Sequence, residues 1–189
     1  MQVAFKIGIW NAWIFMSVFL LQMIAMVLIN KRVFERSHIP SEVNRNILDK
    51  NASIVGNIVW LLAMVYSVFL PLQLGTLLLY VGLAVFIVGL IFITIATYNF
   101  ITTPVDQLIT KGVYKISRHP MYFATFLICI GSGIATKSLP FSFLSIIMAL
   151  CFYHEASIEE KYCLNKYGSV YQEYKKKTPK LIGIPRISE

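Results

Sequence analysis

The chain has little charge relative to its apolar content. Only 14% of its 189 residues are charged, whereas 57% are hydrophobic, and the mean hydropathy is +0.68. So few polar side chains cannot cover a water-soluble domain, and the composition therefore indicates a membrane protein. The net charge of +8 favours membrane orientation over nucleic-acid binding, because a basic nucleic-acid-binding face requires a soluble body to carry it.

Cysteine is also scarce and follows no pattern typical of disulfides or metal sites. The three cysteines are odd in number and have no C-x-x-C spacing, and Cys129 and Cys151 fall within apolar segments. Cysteine in such a segment behaves as a small hydrophobe. His154 and the carboxylates that follow it suggest a metal site only weakly, because their spacing is too loose for zinc. We therefore expect neither disulfides nor a bound metal.

Long uncharged runs predict an all-α polytopic membrane protein with about five transmembrane helices, at residues 8–29, 52–72, 76–96, 121–135 and 139–153. The first three runs have 21 or 22 residues, enough for a helix to cross a hydrocarbon core of about 30 Å. The first run lacks a small-x-small cleavage site, so we expect it to remain as an anchor. The last two have about 15 residues each, which predicts a tilted helical hairpin or a locally thinned bilayer.

These runs divide the chain into two parts. Residues 1–96 are expected to hold three transmembrane helices and a basic, solvated loop at residues 30–51. Residues 97–189 are expected to hold the functional core, with a polar loop, a helical hairpin at 121–153 and a cytoplasmic C-terminal amphipathic helix. An uncharged turn predicts that spans two and three form a hairpin, and Gly82 and Gly89 on one face of span three predict a close helix approach.

Basic residues are distributed unevenly between the two sides of this topology. Fifteen of the 17 lie in the loop at 30–51, in the loop before His119 or in the tail after Tyr153, whereas Lys6 and Lys137 lie opposite. The positive-inside rule then predicts an outside amino terminus and a cytoplasmic carboxyl terminus. Transport is the least favoured function, because the spans contain no formal charge with which to line an ion path.

A first polar segment, residues 112–122, interrupts the apolar sequence. Its tyrosines and the backbone amides that open a helix suit the anionic part of a small polar ligand. The plainer alternative is that Arg118 and His119 extend towards lipid headgroups and that Pro120 simply begins a helix.

A second polar segment follows the last apolar run. Glu155 and Glu159 are four residues apart and share a helix face, with Glu160 turned away from them. These carboxylates either form a solvated helix end or accept hydrogen bonds from ribose hydroxyls or an amino group. Further on, helix-like spacing predicts an amphipathic tail on the membrane surface, formed by Tyr162, Tyr167, Tyr171 and Tyr174 with Lys175, Lys176 and Lys177.

Taken in order, these segments resemble the signature of integral-membrane methyltransferases of the isoprenylcysteine carboxyl methyltransferase and phospholipid methyltransferase group. The matching positions are residues 107–114, 118–122, 159–160, 167–168, 171, 174 and 179. Such an ordered set is much more specific than Arg-His-Pro alone. The resemblance covers roughly residues 107–179, and the first three spans agree only in being apolar.

The resemblance implies S-adenosylmethionine as the cofactor and a lipidic or isoprenoid-like acceptor at the cytoplasmic membrane face. Carried over residue by residue, it assigns cofactor binding to Gln107, Leu108, Ile109, Tyr114, His119, Pro120, Met121, Tyr122, Glu159 and Glu160. It assigns no catalytic base, although Glu155 or Glu160 could accept a proton from an amine acceptor.

Two positions depart from the pattern of that group. Its prenylcysteine enzymes have an arginine for the substrate carboxylate where this chain has Glu155, which argues against carboxylate methylation. Cys163 replaces a usual leucine, with Leu164 next to it, which suggests repacking. The alternative function is a non-catalytic membrane protein that binds anionic lipid or a partner through its basic tail.

Overall fold

The structure is a computed structural model that describes residues 6–29 and 45–183. Every element of regular secondary structure assigned within these ranges is a helix, which confirms the all-α class for this part of the chain. The α-helices are α1 Trp13–Ile29, α2 Ile47–Ser67, α3 Leu77–Ile101, α4 Pro120–Ala135, α5 Leu139–Tyr167 and α6 Ser169–Lys177, and a 3-10 helix spans Gly112–Lys115. Most of the predicted basic loop, residues 30–44, lies outside the described residues.

Three helices, α2, α3 and α5, are long and apolar enough to cross a membrane. Trp13–Met26 of α1 and all of α4 are shorter apolar helices, so five crossings remain a prediction. The helix of the last span has 29 residues and continues past the apolar run to Tyr167, as the shared helix face of Glu155 and Glu159 requires. Its second half is polar, but Glu, Ala and Lys are good helix formers and prolong the helix beyond the apolar run.

The start of α2 also differs from the prediction, which placed residues 47–51 in a loop. Asn46 accepts a hydrogen bond from the Asp49 backbone N–H at 2.7 Å, and the Asp49 carboxylate accepts one from the Asn46 N–H at 3.2 Å. This reciprocal capping box satisfies two amides that a helix start leaves unpaired. The helix therefore begins at Ile47 within a polar sequence.

The turn between α2 and α3 is present, but these two helices have different main partners. α2 packs chiefly on α5, and α3 packs chiefly on α4. The predicted hairpin is therefore a short connection between two helices that pack chiefly on other helices. The segment before α1 pairs with this connection through the Ala12 N–H and the Leu70 carbonyl, at 2.9 Å.

The predicted close approach at Gly82 and Gly89 is confirmed. A Cβ added at Gly82 would lie 2.5 Å from the Gly131 carbonyl oxygen of α4, and one added at Gly89 would lie 3.0 Å from the Ala124 carbonyl oxygen. Glycine thus lets the backbones of α3 and α4 come into direct contact. This contact fixes the position of α4, whose first residue follows the polar loop.

The chain turns at Gly168, where α5 ends with a φ of +56°, in the left-handed region that favours glycine. α6 follows. Tyr171 is buried, and the Tyr174 hydroxyl donates to the Tyr114 carbonyl oxygen of the polar loop at 2.6 Å. These tyrosines hold the tail against the protein. Placement of α6 along a membrane surface stays a prediction, as does the division of the chain at residue 96.

Candidate functional site

The polar loop meets the polar half of α5 where α4 begins. Arg118 and His119 immediately precede Pro120, which occupies the first turn of α4, a position where proline costs no hydrogen bond and its fixed φ suits a helix. On α5, Glu159 and Glu160 lie beyond the apolar stretch that ends near residue 153. Two segments that are forty residues apart are thereby brought into contact.

His119 lies between the two carboxylates. Its Nδ1 is 3.2 Å from Glu159 Oε2, and its Nε2 is 3.3 Å from Glu160 Oε1. Burial by itself lowers the pKa of this imidazole, but hydrogen bonds and charge attraction from both glutamates outweigh burial and raise the pKa above its ordinary value. A protonated ring donates to both carboxylates and holds their side chains in place.

Tyr122 supports the same arrangement from the first turn of α4. Its hydroxyl donates to Glu159 Oε1, and its ring stacks on His119 at a centroid distance of 5.7 Å and on Phe152 at 4.9 Å. Glu159 nevertheless keeps 28% of its side chain exposed, against 8% for Glu160. Glu159 is therefore the carboxylate of the pair that remains able to contact a ligand.

Glu160 is occupied by other charges. Arg118 donates to its Oε1 from Nε at 3.0 Å and from Nη2 at 2.7 Å, and Lys175 Nζ lies 3.2 Å from its Oε2. Burial raises the pKa of this carboxyl, but its contacts with His119 and Arg118 prevail and hold the pKa well below the usual range. Glu160 is thus an ionised anchor for the loop.

The segment after α6 closes over the Arg118–His119 backbone. The Arg118 N–H donates to the Pro179 carbonyl at 3.0 Å, and the His119 N–H donates to the Lys180 carbonyl at 3.2 Å. Arg118 Nη1 also donates to the carbonyls of Lys175, at 3.0 Å, and Thr178. One arginine therefore ties α5, α6 and the tail to the loop.

The remaining predicted residues form a wall beside this cluster. Ile109 and Tyr114 are buried against Ala96 of α3, and Met121 packs on them. The Gln107 carbonyl accepts a hydrogen bond from the Tyr167 hydroxyl at 3.5 Å. Among the predicted site residues, side-chain hydrogen bonds join His119, Tyr122, Glu159 and Glu160, whereas Pro120 is buried behind them and Leu108 is half-buried in the loop.

Arg118 and Glu155 have roles that the sequence did not indicate. The plainer alternative for Arg118, extension towards headgroups, is wrong, because its guanidinium binds Glu160. Glu155 shares a helix face with Glu159 but accepts hydrogen bonds from Ser53 of α2, at 2.6 Å, and from Arg45 in the segment before α2, at 2.8 Å.

His154, which the sequence suggested weakly as a metal ligand, lies beside α2. Its Nε2 is 2.9 Å from Asp49 Oδ1. Within residues 6–29 and 45–183, no group of three or more His, Cys, Asp or Glu side chains could hold a metal ion. His154 and Asp49 therefore act as a tie between α5 and α2.

The chain is similar to several known proteins. It is 32% identical over 81 residues to protein-S-isoprenylcysteine O-methyltransferase from Schizosaccharomyces pombe, covering 42% of this chain and 34% of that protein. It is 37% identical over 82 residues to the enzyme of that name from Saccharomyces cerevisiae, covering 42% and 33%. It is also 28% identical over 119 residues to the nickel-cobalt-cadmium resistance protein NccN from Alcaligenes xylosoxydans xylosoxydans, covering 58% and 54%.

These matches span about a third to just over half the length of the relatives. The phospholipid methyltransferase family profile matches residues 72–170. The matched region is more than half of the chain and contains α3, α4, α5 and the His119–Glu159 contact. The chain therefore belongs to the phospholipid methyltransferase family.

Proposed function

We propose that this chain transfers a methyl group from S-adenosylmethionine to a lipidic or isoprenoid-like acceptor. The observation that carries the proposal is the contact of His119 and Tyr122 with Glu159 at the polar end of two apolar helices. A polar cofactor reaches such a position from water, and a lipid-like acceptor reaches it from between the helices. The distribution of basic residues supports a cytoplasmic location for the site.

The residues present fit a nucleoside cofactor with an amino-acid moiety. Glu159 offers a fixed, partly exposed carboxylate that can accept hydrogen bonds from hydroxyls or an ammonium group. Ile109, Tyr114 and Met121 offer an apolar wall beside it. When bound, S-adenosylmethionine supplies an electrophilic methyl group on a sulfonium.

The residues of the site act chiefly by positioning. Tyr122 and His119 hold Glu159 in one rotamer, and the segment that follows α6 holds the loop through Arg118 and Glu160. A fixed orientation of two reactants in a site that excludes water supplies a large part of the rate of a displacement reaction. We expect little proton transfer through Glu160, because its carboxylate is enclosed by cations.

The alternative function, lipid or partner binding through the basic tail, has less support. Lys175 contacts Glu160, and its carbonyl accepts from Arg118, so this part of the tail belongs to the site. Lys176 and Lys177 are exposed and are the members of the Lys175–Lys177 tract left to bind anionic lipid.

Transfer of label from methyl-labelled S-adenosylmethionine tests the proposal. Purified protein is incubated with membrane lipids or with an isoprenoid thiol, and labelled lipid is then extracted. We expect label in the extract for the wild type and for Glu173→Ala, a control that removes an exposed carboxylate of α6, but not for Glu159→Ala. Absence of transfer to every acceptor, together with no thermal shift with S-adenosylhomocysteine, would instead favour the non-catalytic alternative.

A further inference from the structure

Asn99, near the end of α3, has a buried side-chain amide with an unusual environment. The residue is 6% exposed, and its Nδ2 has no hydrogen-bond partner within residues 6–29 and 45–183. A buried amide without a partner costs about as much free energy as a lost hydrogen bond. Thr97, buried on the same helix, is by contrast paired, since its hydroxyl accepts from Gln22 Nε2 at 2.7 Å. An unpaired amide in a native fold therefore requires an explanation.

Gly112 places the polar loop directly against this amide. Its φ is +58°, and a Cβ built there would lie 2.1 Å from Asn99 Nδ2. Only glycine combines that backbone conformation with such a close approach. The loop and the carboxamide are thus in contact at a position where no other L-residue fits.

The amide also lies beside the wall of the candidate site. Ala96, three residues before Asn99 on the same face of α3, packs with Ile109 and Tyr114. Asn99 therefore sits beneath the loop whose residues form the apolar side of the site.

We propose that the Asn99 carboxamide hydrogen-bonds to the adenosyl cofactor and is a specificity-determining residue of the cofactor site. This inference rests on the proposed function. A primary amide donates through nitrogen and accepts through oxygen, which matches the mixed donors and acceptors of a nucleoside. Binding of such a ligand pairs the buried amide, whereas an analogue without the matching polar atom gains no such hydrogen bond and binds more weakly.

The test compares ligand-free stability with ligand affinity in Asn99→Leu, which keeps the number and branching of the side-chain heavy atoms and removes the amide. We expect the melting temperature without ligand to stay the same or rise, because an unpaired polar group is lost. We expect the affinity for S-adenosylhomocysteine, measured by calorimetry in detergent, to fall about tenfold.

Thr97→Val is the matched control on the same helix. This change leaves the Gln22 amide without its acceptor, so we expect a lower melting temperature and an unchanged affinity for S-adenosylhomocysteine. Asn99→Leu should therefore lose affinity without losing stability, whereas Thr97→Val should lose stability without losing affinity.

Three results would overturn the inference alone: wild-type affinity in Asn99→Leu, a lower ligand-free melting temperature in that variant, or failure of both Asn99→Leu and Asn99→Ala to fold. If Asn99→Leu does not fold, the affinity for S-adenosylhomocysteine is measured in Asn99→Ala instead, and we expect the same loss of about tenfold. A wild-type protein that does not bind S-adenosylhomocysteine would overturn the proposed function, and the inference with it.

Discussion

Arg118→Met should destabilise the fold and release the tail. The Arg118 guanidinium donates twice to Glu160 and once to each of two backbone carbonyls, and its side chain is only 8% exposed. Methionine fills a similar volume but leaves the buried carboxylate and both carbonyls without these donors. Removing one partner of a buried ion pair costs about 3–5 kcal/mol.

The lower end of that range applies, because His119 and Lys175 still contact Glu160. About 3 kcal/mol corresponds to a fall in melting temperature of roughly 6–12 °C for a chain of this size. Thermal unfolding in detergent measures this fall. Tryptic cleavage after Lys175 should also become faster, because Arg118 no longer holds its carbonyl.

Two comparisons separate this mechanism from a general effect of substitution. Lys176→Met removes an exposed cation of α6 and should leave the melting temperature unchanged. The double variant Arg118→Met with Glu160→Gln should be more stable than Arg118→Met alone, because no unpaired charge is then buried. A wild-type melting temperature in Arg118→Met, or a double variant no more stable than the single one, would refute the reasoning.

Further predictions concern the other members of the cluster. Tyr122→Phe keeps the ring that stacks on His119 and Phe152 but removes the hydroxyl that donates to Glu159. Calorimetry should then show a roughly fivefold to tenfold loss of affinity for S-adenosylhomocysteine. An unchanged affinity would show that the hydroxyl does not position Glu159 for ligand binding. The folded protein raises the pKa of His119 above its ordinary 6.5. The stabilisation that the protonated ring gives to the folded state is therefore complete below that value and is lost as the pH rises through the folded pKa. The melting temperature of the wild type should therefore fall as the pH rises above about 6.5, and His119→Gln should lack this component. Parallel curves for both proteins would contradict it. The lowered pKa of Glu160 has the opposite effect: its contribution to stability is present above the ordinary pKa of 4.5 and is lost on acidification. Glu160→Gln should therefore show a smaller fall in melting temperature at acid pH. A fall as large as that of the wild type would disprove this.

Much of the helical layout could be predicted from the sequence because uncharged runs and glycine spacing are local signals. The runs at residues 76–96 and 121–135 correspond closely to α3 and α4, and Gly82 correctly indicated where they touch. Hydropathy could not locate the end of α5, because the helix continues through charged residues. Nor could it show that α2 packs on α5, since that depends on contacts between distant segments.

Only part of the site could be predicted, because its contacts join segments that are distant in the sequence. The His119 and Glu159 segments were linked by resemblance, and the structure places these side chains in contact, whereas their role in ligand binding remains a prediction. The partners of Arg118 are a glutamate 42 residues away and backbone carbonyls of the tail. A sequence does not show which backbone carbonyls accept hydrogen bonds. Glu155 and Glu159 share a face, yet α5 packs between two other helices that bind one carboxylate each.

Titration of S-adenosylhomocysteine into the wild type, Glu159→Ala and Glu173→Ala in the same detergent tests the central claim most directly. The claim is that Glu159, held by His119 and Tyr122, binds the cofactor. We predict equal binding by the wild type and Glu173→Ala, and no measurable binding by Glu159→Ala although it remains folded. Wild-type affinity in a folded Glu159→Ala protein would contradict the account.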